Sequence, residues 1–237
     1  MNILLTGASR GIGAATLDHL TAAGHRVVGH STAGRNGLVA ADFTDPSAPR
    51  ALWEAALAEL GTIDVLVNNA GVFEAIADDS DDEAWHAAWG RTMTINLQAS
   101  ADLCRHAIAH FRGQRADGNR GGRIVNVASR AAYRGDSPQH WHYAASKAGM
   151  IAMTKSIARG YAGENILAFA VCPGFTMTGM AEDYLSSRGG AKLLADIPLG
   201  RVAEASEIAE TIRWLSVDAP PSATGAVIDV NGASYVR

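Results

Sequence analysis

The chain has 237 residues, of which 48% are hydrophobic, 19% charged and 6% aromatic, a length that makes one large domain or two small ones and buries about 70–75% of its unfolded surface without staples. Two cysteines, Cys104 and Cys172, are too few for a disulfide framework, and 20 basic against 24 acidic side chains, net −4, exclude a nucleic-acid surface built on bulk charge. No apolar stretch approaches the roughly 20 residues of a membrane span, and Met1–Gly7 lacks the basic lead and long apolar run of a secretory signal, so the expectation is a soluble cytoplasmic protein with neither nucleic-acid nor membrane partner.

Strands and helices alternate along the chain. Residues 2–6 read as a strand, 11–23 as a helix ended by Gly24, and 26–29 and 37–41 as a second and a short third strand. Ala48–Leu60 has helical spacing through Ala51, Leu52, Ala55 and Ala56 and stops at Gly61. The apolar run of residues 63–67 suits a strand buried on both faces. Helices are predicted over 82–90 and 91–112, a fifth strand over 124–128, a long helix over 144–161 and a sixth strand over 166–171. A helix over 206–215 and a last strand over 226–230 complete the order. This pattern predicts a single-domain, doubly wound, Rossmann-like α/β fold: a parallel sheet of about seven strands with helices on both faces. Ligands in such sheets bind beyond the carboxyl ends of the strands, at the switch point. Residues 113–122 read as a polar, glycine-rich insertion and 176–199 as a mobile substrate flap.

Thr6-Gly7-Ala8-Ser9-Arg10-Gly11-Ile12-Gly13 lies between the first strand and the first helix. Glycines let the backbone turn sharply there, and the helix N-terminus offers free N–H groups to a phosphate. The spacing is Gly-x3-Gly-x-Gly, not the general Gly-x-Gly-x-x-Gly. A tight strand–helix connection is the plain alternative, but the position after the first strand favours a nucleotide. An NAD site usually places an acid at the end of the second strand, whereas arginine suits a 2′-phosphate. Here that position reads Gly29-His30-Ser31-Thr32, with no carboxylate, while Arg10 and Arg35 are near enough to meet a phosphate. NADP is therefore the predicted cofactor, with NAD the alternative and a solvated arginine loop the plain reading.

Lysine is scarce: Lys147, Lys155 and Lys192 stand against 17 arginines. Lys147 lies four residues after Tyr143, so the two share a helix face. A tyrosine acting as general acid–base needs its pKa, near 10 in isolation, brought down, and a neighbouring ammonium does that. Ser129, at the end of the fifth strand, could offer its hydroxyl to a substrate oxygen in the same cleft.

With these residues in place the chain resembles the short-chain dehydrogenase/reductases over essentially its whole length. The resemblance is carried by Thr6–Gly13, Asp42, Asn68-Asn69-Ala70-Gly71, Asn96, Ser129, Tyr143-x3-Lys147, Pro173-Gly174 and the terminal run from Gly225 to Gly232, in the family's order and near its spacing. It implies hydride transfer between a nicotinamide and a carbonyl or secondary alcohol. Tyr143 would donate a proton to the carbonyl oxygen, Ser129 would hydrogen-bond that oxygen, and Lys147 would lower the tyrosine pKa and bind the nicotinamide ribose. Asn96 would hold a water linking Lys147 to solvent. The implied cofactor-binding set is Gly7, Ser9, Arg10, Gly11, Ile12 and Gly13 in the turn, then Ser31 and Arg35, Asp42 and Phe43, Asn69, Ala70 and Gly71, Tyr143 and Lys147, and finally Pro173, Gly174 and Thr176. Asp42 would contact the adenine, residues 69–71 the adenosine ribose, and Thr176 the carboxamide. A homo-oligomer, tetramer or dimer, is implied as well, with the alanine-rich helices 91–112 and 144–161 offering flat packing faces.

Three departures from the family pattern stand out. Ser129 and Tyr143 are one residue further apart than usual, across Asp136-Ser137-Pro138-Gln139-His140-Trp141-His142; the link between the second and third strands is short; and residues 113–122 are longer than in compact members. Asp102, His106 and His110 share helical spacing, but a zinc site draws ligands from more than one element, and no metal is expected. Residues 78–83 read as acids favoured by a helix N-terminus, and Cys172 as a small buried thiol. Arg112, Arg115, Arg120 and Arg123 are either a solvated loop or a docking patch for an acidic partner such as acyl carrier protein. That partner would suit the ketoacyl reductases, which the chain resembles in Thr6–Gly13 and in Ile197-Pro198-Leu199-Gly200-Arg201. The function expected is an NADP(H)-dependent 3-oxoacyl-thioester reductase; the alternatives are a reductase or dehydrogenase of another small ketone, sugar or alcohol, and a non-catalytic NADP-binding regulator.

Overall fold

Strand formation follows the apolar runs closely. The computed structural model describes residues 1–114, 121–177 and 190–237, with residues 191–193 in backbone only. The strands are β1 (Asn2–Leu5), β2 (Arg26–Ser31), β3 (Val39–Ala40), β4 (Val65–Asn68), β5 (Gly122–Val127), β6 (Ile166–Pro173) and β9 (Val227–Val230), which pair in the order β3-β2-β1-β4-β5-β6-β9. Every pairing is parallel. All eight residues of β6 are buried, as a strand covered on both faces requires. Alternate residues divide between two layers. Leu4, Leu66, Ile124 and Ala168 pack towards α2 (Ala48–Leu60) and α4 (Ala99–Gln114), whereas Ile3, Leu5, Val67 and Phe169 pack on the opposite side with α8 (Ala205–Val217). The helix α1 (Gly11–Ala22) lies beside α8 on that second side. One sheet thus draws strands from residue 2 to residue 230, and the strand order reverses between β1 and β4, opening the crevice where ligands bind.

Several boundaries differ from the sequence reading, each for a local reason. The predicted third strand, 37–41, shrinks to Val39–Ala40 because Asn36 and Gly37 both sit at positive φ, 58° and 78°; no helix intervenes between β2 and β3. The two helices predicted at 82–90 and 91–112 form one rod: α3 (Asp82–Met93), a π-helical turn at Thr94–Gln98, and α4. Gly90, the expected break, is exposed inside α3, where glycine costs only about 1 kcal/mol against alanine. Asp81 caps α3 by accepting the Ala84 N–H at 2.8 Å, in line with the acidic run. The helix predicted from 144 starts earlier, as α6 (Trp141–Tyr161), so Tyr143 lies in its first turn. A short α5 (Ala131–Arg134), ended by Gly135 at φ 74°, fills the beginning of the extended stretch after Ser129.

Of the two predicted insertions, residues 115–120 and 178–189 lie outside the described residues. The described ends of the second are ordered: β7 (Thr176–Met177) pairs in parallel with β8 (Ala203–Glu204), and α7 (Gly190–Ala195) precedes Asp196.

Candidate active site

The glycine-rich turn is built by exclusion of atoms. Gly7 and Gly11 hold φ of 68° and 53°, a left-handed conformation that glycine adopts without penalty. A Cβ on Gly13 would lie 1.9 Å from the Gly7 carbonyl oxygen, and one on Gly7 would lie 2.8 Å from the Ala70 Cα. The contact between β1 and β4 is fixed by two side chains. Thr6 Oγ1 accepts the N–H groups of Asn69 and Ala70, each at 3.0 Å, and Asn69 Nδ2 donates to the carbonyls of Thr6 (3.1 Å) and Gly7 (3.0 Å). Arg10 at the N-cap of α1 provides no side-chain cap, and the first turn carries no acid, so the helix start faces an anion with its own N–H groups. A cradle too close for any Cβ, with open amides at a helix start, fits a dinucleotide pyrophosphate. Ser9 and Arg10 are exposed at its rim, while Ile12 turns inwards against the core on the α8 side.

At the adenosine end the structure sorts the expected residues. Arg35 is exposed, and neither it nor Arg10 forms an ion pair among the described residues. Ser31 is buried, and its Oγ accepts the Gly34 N–H at 3.1 Å. Asp42 is exposed; its carboxylate accepts both the N–H and the hydroxyl of Thr44 at 2.9 and 2.8 Å, which hold it below the usual carboxylate range. Phe43 points into the core, stacked beneath His30 with ring centroids 4.5 Å apart, so only its backbone is left for a nucleotide. His30, passed over in the sequence except as a position lacking an acid, joins three segments. Its Nδ1 accepts the Gly7 N–H at 3.2 Å and its Nε2 bonds the Ala41 carbonyl at 2.8 Å.

Ser129, Tyr143 and Lys147 meet at the carboxyl end of β5. The Ser129 side chain lies near enough to the Tyr143 phenol to lower its pKa, and Ser129 Oγ accepts the Ala131 N–H at 3.1 Å. Lys147 Nζ donates to the Val127 carbonyl at 2.9 Å and lies 5.8 Å from the Tyr143 ring centroid. Asn96, carried by the π turn, is fully buried. Its Oδ1 accepts the Val72 N–H at 2.8 Å; its Nδ2 donates to the Val72 carbonyl (3.0 Å) and to Ser146 Oγ (3.2 Å), which in turn donates to the Tyr143 carbonyl (2.7 Å). The Asn96 side chain thus clasps the Val72 backbone on one side and the Ser146 hydroxyl on the other. A Cβ on Gly71 would lie 3.2 Å from Asn96 Oδ1 and 3.5 Å from Lys147 Nζ, so glycine there keeps the lysine reachable. Thr176 is buried and its hydroxyl donates to the Gly174 carbonyl at 3.1 Å, while a Cβ on Gly174 would meet the Asn231 Cα at 2.8 Å.

Loss of water dominates the electrostatics of this pair. Burial pushes the Tyr143 phenol up to about 12, partly offset by the Ser129 side chain. Burial also pulls the Lys147 ammonium down to about 8. A fall from 10.5 to about 8 corresponds to about 3 kcal/mol, at or above the roughly 1.5–3 kcal/mol of one hydrogen bond to a charged group. Lys147 is thus a desolvated cation with little surplus stabilisation until a second acceptor arrives.

Around this centre lie groups the sequence left unassigned. Phe73 stacks on His140 at 3.9 Å and meets Tyr143 edge-on at 4.8 Å, and Trp141 meets Trp85 edge-on at 5.4 Å. Arg130, next to Ser129, is buried with its guanidinium 4.7 Å from the Phe175 ring centroid. Among the described residues its Nη1 makes no hydrogen bond; it lies 3.6 Å from Asp196 Oδ2, which Arg134 already holds at 2.7 Å. Of the four-arginine patch, Arg112 is paired with Glu164 at 2.5 Å and Arg123 donates to the Leu215 carbonyl at 3.0 Å; Arg115 and Arg120 lie outside the described residues. His106 and His110 pack on Trp53, and His110 Nε2 accepts the Ile63 N–H at 3.2 Å. Cys104 and Cys172 are buried thiols pushed up to about 12.

A model of the family described as Enoyl-(Acyl carrier protein) reductase matches residues 7–233. The chain belongs to the short-chain dehydrogenase/reductases. Like the other members it is an oxidoreductase that works between carbonyl and CH–OH groups with a nicotinamide cofactor. The 3-oxoacyl-[acyl-carrier-protein] reductase of Salmonella typhimurium is 35% identical over 98% of this chain and 96% of its own length. The cis-4-hydroxycyclohexanecarboxylate dehydrogenase of Sinomonas cyclohexanicum is 36% identical over 97% and 94%. The crystal structure of the 3-ketoacyl-(acyl-carrier-protein) reductase from Brucella melitensis, complexed with NADH, superposes with a TM-score of 0.86 at 28% identity, covering 99% of this chain and 98% of that one. No helix among the described residues is long and apolar enough to cross a membrane.

Proposed function

We propose that this enzyme reduces the 3-oxo group of an acyl thioester, with NADP(H) as its nicotinamide partner. The observation that carries the reading is the Tyr143 phenol, kept protonated by burial beside the Ser129 side chain, one helix turn before the buried Lys147. When bound, the nicotinamide supplies the hydride. The two hydroxyls converge on one substrate oxygen: Ser129 donates a hydrogen bond to it, and Tyr143 gives it a proton as negative charge develops there. The Lys147 ammonium steadies the phenolate that remains, and its open side takes the ribose hydroxyls of the nucleotide. Asn96 acts as a positioning residue, holding Val72 and the first turns of α6 in register. Gly7, Gly11 and Gly13 admit the pyrophosphate, with Asn69, Ala70, Gly71, Pro173 and Gly174 lining the groove. The missing acid at the end of β2, together with exposed Arg10 and Arg35, supports a 2′-phosphate.

Acyl carrier protein or coenzyme A presents the thioester on this reading, and the basic segment of Arg112, Arg115, Arg120 and Arg123 would dock an acidic carrier. The outward alanines Ala109, Ala145 and Ala152 support a homotetramer or dimer packed on α4 and α6, and buried reduced cysteines suit a cytoplasmic location. A second reading, oxidation of a hydroxylated ring acid by NAD, is favoured by the buried guanidinium of Arg130 beside Ser129, which suits a carboxylate. The test offers the purified enzyme acetoacetyl-coenzyme A with NADPH and, separately, cis-4-hydroxycyclohexanecarboxylate with NAD. A kcat/KM at least about tenfold higher for the thioester, a margin of about 1.4 kcal/mol in transition-state binding, is expected; the opposite ranking would install the second reading.

A further inference from the structure

We infer that His30 is a positioning residue of the nucleotide site: its neutral ring, held as the Nε2–H tautomer, fixes the first amide of the glycine-rich turn, and nucleotide affinity falls when the ring gains a proton. The inference rests on the reading of that turn as the nucleotide cradle. Hydrogen-bond logic sets the tautomer. The Ala41 carbonyl at 2.8 Å can only accept, so Nε2 carries the hydrogen; the Gly7 N–H at 3.2 Å can only donate, so Nδ1 presents its lone pair. The same residue's carbonyl accepts the Ala8 N–H at 2.7 Å, so His30 holds two consecutive amides of the turn, one by side chain and one by backbone. The stack on Phe43 and 3% exposure confine the ring between its partners. Through it, the Gly7 segment, the end of β2 and the Ala41–Phe43 segment become one rigid frame.

A proton on Nδ1 would set N–H against N–H across 3.2 Å, and the turn would move. Among the described residues no charge counteracts this. The charged groups on the elements packed around the ring look elsewhere: on α1, Asp18 is exposed and His19 pairs with Glu210, and on α2 Glu59 is exposed. Asp42 and Asp45 are held by Thr44 and Ser47, Asp64 by the Asn2 N–H, and Arg26 by the carbonyls of Glu59 and Leu60. Arg50 and Glu54 on α2 pair with each other, and Arg10 and Arg35 are exposed. Burial lowers the ring below the usual histidine range, with only the Ala41 bond raising it, so the neutral form prevails at neutral pH.

Two variants separate the two bonds. His30→Asn puts Oδ1 where Nδ1 stood and still accepts the Gly7 N–H, without titrating; His30→Gln reaches the Ala41 carbonyl but leaves Gly7 without an acceptor. The dissociation constants of NADPH and of NADH, which lacks the titrating 2′-phosphate, are measured by fluorescence from pH 8 to pH 5 for wild type and both variants. Wild-type affinity should fall about tenfold more than that of His30→Asn as the pH drops, the loss of one buried hydrogen bond. His30→Gln should be about tenfold weaker throughout, whereas His30→Asn should match wild type at pH 8. Equal weakness of the two variants, or equal pH slopes in wild type and His30→Asn, would overturn the inference. The imidazole ¹⁵N spectrum of the unliganded wild-type chain, assigned through its own backbone connectivities, gives a readout free of cofactor and of either variant. The His30 signal must show an unprotonated Nδ1 at pH 7, and the Gly7 amide must shift with its titration; an Nδ1–H signal overturns the inference. A wild-type chain that binds neither nucleotide would overturn the oxidoreductase reading and this inference with it, whereas binding with indifferent variants would overturn this inference alone.

Discussion

The two ends of the crevice are made of different material. Between β1 and β4 the site is backbone: Gly7 and Gly13 leave no room for a methyl group, and Thr6, Asn69 and His30 serve only to hold main chain in place. Beyond β5 the site is side chain: Ser129, Tyr143 and Lys147 are buried or half-buried polar groups, and the protonation of the last two is set by lost water. The first end is therefore vulnerable to added volume and the second to altered charge. A polyphosphate is recognised by many equivalent amides, while proton transfer depends on one phenol at one place.

That contrast can be broken most severely at Gly13. Gly13→Ala places a carbon 1.9 Å from a carbonyl oxygen that no rotamer change can move, and the backbone must give way. Turnover should vanish, and so should the thermal shift with NADPH, which a ligand at about 100 times its dissociation constant sustains with roughly 2.7 kcal/mol. Retention of that shift would show that the turn is looser than its geometry. Tyr143→Phe attacks the other end. It should lower kcat by about 10²–10⁴-fold, the usual range for a general acid, with the NADPH dissociation constant within about twofold of wild type. Undiminished regulation of a partner by this variant, with no turnover in wild type, would instead mark a nucleotide-binding regulator.

Lys147→Met sharpens the comparison through stability. The folded chain holds the Lys147 proton less tightly than the unfolded chain, about 8 against 10.5. Wild-type stability is therefore reduced in full below about pH 8 and recovers as the pH rises towards 10.5. The variant should melt above the unliganded wild type at pH 7, by the equivalent of up to about 3 kcal/mol less the lost Val127 bond, and the gap should close by pH 10. Activity should be lost. A gap that persists unchanged to pH 10 would remove desolvation as its cause. The smallest effect is expected at the rim, where Arg10→Ala or Arg35→Ala should weaken NADPH about tenfold, within the range for a hydrogen bond to a charged group, and leave NADH unaffected.

How far the sequence reached follows the same division. The strands were legible because a sheet covered on both faces needs unbroken apolar runs, and the glycine turn because only glycine satisfies its sterics. Tyr143 and Lys147 were legible through helical spacing and Ser129 through a strand end, but the chemistry of all three came from family resemblance. The rest depended on contacts between distant residues. Nothing in the sequence brings residues 7, 30 and 41 together, so His30 read as a missing acid rather than a clamp. Phe43 gave no sign that its ring faces inwards, nor Asn96 that Val72 and Ser146 occupy its amide. The raised Tyr143 pKa was hidden because burial is a property of the fold and not of the i, i+4 spacing.

The π turn at Thr94–Gln98 carries one residue more than the regular helical ladder on either side would hold. A single-residue deletion inside it would restore that ladder and keep Leu103, Cys104 and Ala107 on the sheet they cover, at the cost of Asn96's grip on Val72, whereas a deletion within α3 or α4 would rotate one flank against the other by about 100°, one residue's share of the turn. Substitution on the outer face, at Gly90 or Gln98, disturbs neither alignment. Scanned along its length, this rod should accept changes of identity on its outer face and changes of length only at the π turn.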